Sequence, residues 1–122
     1  MIAAMASFRA HRATDQDIEA LRRLCAEATG GRGALWGSKR EHFDPAAWHA
    51  ARAPLAAVAD GPAIVGFAAA LAEGVPFGAP RCAEALVYVT PAQRRRGVAR
   101  AAMSELIVAA RATGLWKLVS YT

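Results

Sequence analysis

The chain is 122 residues long, 55% hydrophobic and 20% charged, with a formal net charge of +5. That balance supports a single packed domain over residues 1–122 and excludes an intrinsically disordered chain, while no apolar run reaches the roughly 18–20 residues that cross a bilayer. Cys25 and Cys82 stand in no metal or redox spacing and His11, His42 and His49 in no ligand spacing, so the expectation is a cytoplasmic protein with reduced thiols and no metal.

The apolar start at Met1 lacks the basic flank and long apolar core of a secretory signal. Residues 8–12 alternate and read as a first strand. Thr14 follows as a helix N-cap, with Asp15 and Asp17 in the first turn, where acids complement the helix dipole. Ile18, Leu21, Leu24 or Cys25, and Ala28 recur at spacings of three and four, so an amphipathic helix runs to Gly30-Gly31. Residues 30–43 read as a loop with one large aromatic, Trp36.

Asp44-Pro45 is a helix start, with Asp as the cap and Pro at the first helical position. Phe43 and Trp48 have the spacing of a hydrophobic staple. The helix is short, because Pro54 follows. Two apolar strand-like runs, residues 55–59 and 63–71, flank Asp60-Gly61-Pro62, and Asp-Gly between such runs predicts a hairpin. A Gly- and Pro-rich loop at 74–80, with Val75 and Phe77, leads to a strand at 82–90.

The segment Arg94-Arg95-Arg96-Gly97-Val98-Ala99 follows that strand directly, and a helical pattern begins at once. Val98, Ala102, Met103, Leu106, Ile107 and Ala110 mark its apolar face, and Gly114 sits at its C-cap position. A last strand starts near Trp116 and runs to Tyr121. The order β-α-α-β-β-β-α-β belongs to a mixed α/β layer.

A strand that delivers the backbone to a basic, glycine-containing turn and then a helix aims unpaired N–H groups at one point. This is a seat for a phosphate or pyrophosphate. The other basic residues are dispersed, few aromatics accompany them, and no helix-turn-helix or zinc-finger spacing is present. An anionic small ligand is therefore favoured over nucleic acid. Solvated arginines at a helix start are the plainer alternative.

The segment from Glu84 through Ala85-Leu86-Val87-Tyr88-Val89-Thr90-Pro91-Ala92-Gln93 to Arg94-Arg95-Arg96-Gly97-Val98-Ala99 resembles the acetyl-CoA-binding motif of the GCN5-related N-acetyltransferases. That motif is a strand, then Q/R-x-x-G-x-G/A, then a helix. Arg94 takes the Q/R position, Gly97 the central glycine and Ala99 the last position. Glu84 ahead of x-x-V-Y-V is most similar to the phosphinothricin and L-amino-acid N-acetyltransferase branch. The resemblance covers nearly the whole chain.

It implies that acetyl-CoA is the acyl donor, with its pyrophosphate on the backbone of Arg95, Arg96, Gly97, Val98 and Ala99. Arg94, Arg95, Arg96 and Arg100 add positive charge. It also implies that the strand through Val87, Tyr88 and Val89 pairs with the pantetheine arm, and that the Val89 N–H polarises the thioester carbonyl. As side chains, these three suit core packing equally well. Glu84 takes the role of base toward the amine, since a protonated amine is not a nucleophile; a charge at a strand start is otherwise a solvated or paired surface group.

Family members continue beyond the strand at Trp116 with a helix bearing an Asn and a Tyr and then a closing strand or hairpin. The resemblance therefore implies a domain incomplete at its C-terminus. The unpartnered edge this leaves is expected to be completed in trans by a homodimer. The alternative is a truncated form with weakened cofactor binding or lost activity. Tyr121 lies in strand context, so the acid role does not pass to it. The expected reaction is acetyl transfer to a primary amine of a small amino acid or amino-acid-like compound; the rival is a non-catalytic CoA-binding module.

Overall fold

Continuous apolar runs buried on both faces build the three central strands, a short alternating segment builds the first, and three-to-four spacing builds the helices, in the expected order. The computed structural model describes residues 8–30, 44–71, 81–115 and 117–119. Its elements are β1 (Phe8–Arg12), α1 (Ile18–Gly30), α2 (Pro45–Ala50), β2 (Leu55–Asp60), β3 (Ala63–Leu71), β4 (Cys82–Val89), α3 (Val98–Ala112) and β5 (Lys117–Val119), with short 3-10 turns at Asp15–Asp17 and Pro91–Gln93. Leu35, Trp36, Phe43, Val75, Phe77, Trp116 and Tyr121 lie outside the described residues.

Local chemistry explains the helix starts. Asp44 accepts from the N–H groups of Ala46 at 3.1 Å and Ala47 at 3.3 Å, with Pro45 at the first helical position. Asp17 does more than complement a dipole: its carboxylate accepts from the Thr14 N–H at 2.9 Å and from His11 Nε2 at 2.8 Å. Burial alone would raise this carboxyl, but the Thr14 N–H and His11 outweigh it, and it lies below the ordinary value.

At the β2–β3 hairpin Asp60 is still a strand residue, paired with Ala63, and Gly61-Pro62 forms the loop. Gly61 takes the positive φ of 59° there. Pro62 cannot, which excludes the type I′ turn that Asp-Gly would otherwise form. The chain thus turns one residue later than the Asp-Gly signal places it.

The sheet runs β1-β2-β3-β4-β5, antiparallel through β4 and parallel between β4 and β5. On one face Leu21, Leu24, Cys25 and Ala28 of α1 and Trp48 of α2 pack on Leu55, Phe67, Leu86 and Tyr88. On the other, Val98, Ala102 and Leu106 of α3 pack on Val58, Val65, Ala68, Ala85 and Val89. The expected apolar face of α3 needs one correction: Ile107 is 40% exposed and Ala109 is buried in its place. The sheet takes the Val98, Ala102 and Leu106 ridge, so Ile107 falls beside β5, where with Met103, Leu115 and Leu118 it lines a groove of about 360 Å³.

Candidate active site

The turn between β4 and α3 needs unusual backbone. Arg95 has φ 64° and Gly97 φ 89°, both left-handed, with Arg96 between them. Gly97 is the N-cap of α3 and offers no side-chain cap. The first helical donation across this cap is from the Ala101 N–H to the Gly97 carbonyl at 3.0 Å. The N–H groups of Val98, Ala99 and Arg100 therefore start the helix without intrahelical acceptors and carry its positive dipole end.

A pocket of about 180 Å³ opens at this point, lined by Val89, Gln93, Arg94, Arg95, Gly97, Val98, Ala99 and Arg100. It gathers most of the residues read from the motif; Gln93 joins them, while Val87, Tyr88 and Arg96 lie outside its lining. A Cβ built on Gly97 would meet no protein atom within 4 Å. The glycine thus serves the backbone conformation and leaves open space above it, as a cradle for an anionic group requires.

α3 can sit this low on the sheet because residue 66 is glycine. A Cβ there would come to 2.7 Å from Val98 Cγ1 and 3.0 Å from the Tyr88 carbonyl oxygen. Sequence reasoning passed over Gly66, although an isolated glycine in an apolar strand signals close approach of another backbone.

The two edges of β4 are told apart by their hydrogen bonds. The Thr90 N–H donates to the Val65 carbonyl at 3.0 Å, continuing the ladder with β3, and the Lys117 N–H donates to the Arg81 carbonyl at 3.4 Å, toward β5. Backbone groups of successive strand residues face opposite edges. Tyr88, in phase with Thr90, therefore turns its N–H and C=O to β3. Val87 and Val89, in phase with Arg81, turn theirs to the β5 edge. Among the described residues β5 pairs with β4 only at Cys82, Ala83 and Glu84.

Side chains alternate in the same way. Leu86 and Tyr88 belong to the α1 face, Val87 and Val89 to the α3 face. Glu84 shares the parity of Leu86 and Tyr88 and is only 6% exposed. It is the third residue of β4 and a buried carboxylate, which does not suit the plainer alternative of a solvated surface charge.

The arginines divide by what they touch. Arg94 Nε donates to the Val89 carbonyl at 3.1 Å, and its guanidinium carbon lies 5.7 Å from the centre of the Tyr88 ring. The Tyr88 hydroxyl donates to Glu27 Oε1 at 2.6 Å. Burial first, then the Glu27 carboxylate, push the Tyr88 phenol up to about 12 against a lowering effect of Arg94. Arg96 Nη1 donates to Gln93 Oε1 at 2.8 Å, and its guanidinium stacks 5.2 Å from the Phe8 ring centre on β1. Glu27, Gln93 and Phe8 were not singled out from the sequence; only Gln93, inside the motif segment, carried a local signal.

Cys25 is buried, and desolvation, followed by the charge of Asp44, pushes its thiol up to about 12, which suits packing and not nucleophilic work. Among the described residues no group of His, Cys, Asp and Glu is placed to hold a metal ion, and no helix is long and apolar enough to cross a membrane.

Comparison with known proteins places this geometry in context. The model of the acetyltransferase (GNAT) family matches residues 16–122. The chain is similar to the putative acetyltransferase yncA of Salmonella typhimurium, solved with its cofactor acetyl-CoA, at 21% identity and a TM-score of 0.74, over 93% of this chain and 69% of that one. It is similar to a ribosomal-protein-alanine N-acetyltransferase of Brucella melitensis at 24% identity and a TM-score of 0.73, over 91% and 72% of the two chains. It is also similar to a GNAT family acetyltransferase of Brucella melitensis in complex with acetyl-CoA, at 18% identity and a TM-score of 0.71, over 97% and 77%. At these identities the likeness is one of fold. No curated protein sequence matches the chain.

Proposed function

The chain belongs to the acetyltransferase (GNAT) family, and from that premise we propose that it transfers the acetyl group of acetyl-CoA to a primary amine of a small amino acid or amino-acid-like compound. One observation carries the reading: the pocket at the start of α3 lies at the end of the β4 edge to which Val89 turns its backbone. An anion cradle and an acyl-polarising donor are thereby side by side.

The residues present fit the cofactor. The N–H groups of Val98, Ala99 and Arg100 and the left-handed turn at Arg95 and Gly97 suit a pyrophosphate, and the exposed Arg95 and Arg100 side chains add charge. Acetyl-CoA, when bound, supplies the activated acyl group. Val87 and Val89 offer strand-edge backbone to an extended arm, and the Val89 N–H is the donor to a carbonyl placed there. Glu84 holds the proton taken from the amine. Its burial on the α1 face of β4 supports the role, because a carboxylate shielded from water acts on a partner brought to it.

The phosphinothricin and L-amino-acid branch is part of the proposal, supported by Glu84 ahead of Val87-Tyr88-Val89. So is a cytoplasmic location, supported by two cysteines, Cys25 and Cys82, that are not joined in a disulfide. A homodimer is supported by the position of β5 at one edge of the described sheet; light scattering after size exclusion tests it, and a clean monomer rejects it.

Calorimetric titration with acetyl-CoA and a thiol-release assay across amino acids test the activity. Glu84→Gln is expected to keep acetyl-CoA affinity and to lower turnover by about 10²-fold or more. Unchanged turnover rejects Glu84 as the base. Binding with no release for any amine makes the chain a CoA-binding module instead.

A further inference from the structure

The Q/R position of the motif was read as part of the phosphate-binding charge, yet the guanidinium of Arg94 is turned onto β4. Its Nε donates to the Val89 carbonyl at 3.1 Å. Its planar head lies over the Tyr88 ring at 5.7 Å, and that ring is anchored by the hydroxyl donating to Glu27 at 2.6 Å. A connected path thus runs from α1, through Tyr88 and Arg94, to the last edge-facing carbonyl of β4.

We propose that Arg94 is a positioning residue for the Val89 peptide and not a reader of the cofactor's phosphates. The inference rests on the acetyl-CoA reading above. Val89 turns both its N–H and its C=O to the same strand edge. A carbonyl oxygen next to the N–H would repel an acyl oxygen seeking that donor. The Arg94 Nε–H satisfies the Val89 carbonyl, screens its negative end, and fixes the direction of the adjoining N–H. The phosphates are left to the backbone of α3 and to Arg95 and Arg100.

The atom count explains why this position admits glutamine. Counted outward from Cα, Nε of arginine and Nε2 of glutamine are reached through the same Cβ, Cγ and Cδ. Glutamine therefore sets an N–H at the same reach with no charge. Lysine keeps the charge, but its nitrogen lies one atom farther out. A phosphate reader would show the opposite tolerance, since there the charge matters most.

The test compares Arg94→Gln, Arg94→Lys and Arg94→Met in the full chain, each checked for its melting transition. Affinity for acetyl-CoA is measured by calorimetric titration. Polarisation of the thioester is read by infrared difference spectroscopy with acetyl-CoA labelled with ¹³C at the acetyl carbonyl, which needs no acceptor. All three variants are expected to bind acetyl-CoA within about threefold of the parent, a difference well below one decade of affinity. Arg94→Gln keeps the downshifted carbonyl band, and Arg94→Lys and Arg94→Met lose it. Tyr88→Phe, which retains the charge and removes the Glu27 anchor, is expected to broaden the band at unchanged affinity.

A loss of about tenfold or more in affinity for Arg94→Gln, with Arg94→Lys intact, makes Arg94 a phosphate reader and overturns the proposal. A band identical in all variants overturns it as well. If Arg94→Met fails to fold, the Gln and Lys pair decides alone. A parent chain that binds no acetyl-CoA overturns the function itself and this inference with it, whereas a parent that binds, with the wrong order of variants, overturns the inference only.

Discussion

Tyr88 shows how one side chain joins several tasks. Its ring lies between Phe67, 6.3 Å away, and the Arg94 guanidinium, its hydroxyl is bonded to Glu27, and its backbone belongs to the β3 ladder. Burial and the Glu27 carboxylate raise its phenol from the ordinary value near 10 to about 12. A raised value means that the folded state favours the neutral form. The stabilisation is therefore complete below the unfolded pKa of about 10 and is lost as pH rises through about 12. Absorbance titration of the phenolate is expected to show a group ionising late in the folded chain and absent from Tyr88→Phe; a Tyr88→Phe curve superimposable on the parent curve would contradict the assignment.

The β4–α3 connection is the element on which the site depends, and two glycines, Gly97 within it and Gly66 beneath it on β3, act differently. Gly66→Ala places a Cβ 2.7 Å from Val98 Cγ1 and 3.0 Å from the Tyr88 carbonyl oxygen, so it lifts the start of α3 from the sheet. A stability loss of about 1–3 kcal/mol is expected, as for overpacking elsewhere. Gly97→Ala meets no protein atom but must hold a Cβ at φ 89°, which costs about 1–2 kcal/mol. Chemical denaturation gives both losses, and acetyl-CoA titration separates them. Gly97→Ala is expected to lose more affinity than its stability loss accounts for, because its new methyl enters the ligand's space.

The element order, the turn at Gly97 and the cap at Gly114 were legible in the sequence because each has its own local signal: period, cap residue or left-handed glycine. The Tyr88–Glu27 bond and the Arg96–Phe8 contact were not. Glu27 and Tyr88 are 61 positions apart, and Phe8 reaches Arg96 only because α3 lies across the face of β1 to β4. Long-range pairing of this kind leaves no spacing to read. Glu84 was found as a chemical type, whereas its burial emerged only when the sheet closed around it.

For the molecule as a whole, the sheet separates two cores that share no buried side chain. Phe67, fully buried, centres one with Trp48 at 6.2 Å and Tyr88 at 6.3 Å, while Leu106, also fully buried, holds α3 on the other. Phe67→Leu is expected to destabilise by about 1–3 kcal/mol and Leu106→Ala by about 2–5 kcal/mol. Because they act on opposite faces, their effects are expected to add to within about 0.5 kcal/mol in urea denaturation of the double variant. A larger coupling would mean that the sheet transmits strain between the faces.

The change from antiparallel to parallel pairing at β4 also sets an order of assembly. β2 and β3 are joined by a two-residue turn and β4 follows on β3, so this part of the sheet closes at little entropic cost, whereas β1 joins β2 only across α1 and α2. β5 reaches β4 only after the chain has travelled the length of α3 and that helix has docked. Folding is therefore expected to proceed from the β2–β3 hairpin outward, to β1 on one side and to the β4–β5 seam on the other, and opening to run in reverse. The backbone amides around Lys117, Leu118 and Val119 would exchange with solvent first, and those of β2 and β3 last. The β4–β5 seam is thus a late-forming part of the fold, a place where the chain opens easily when an extended ligand is to be threaded along a strand.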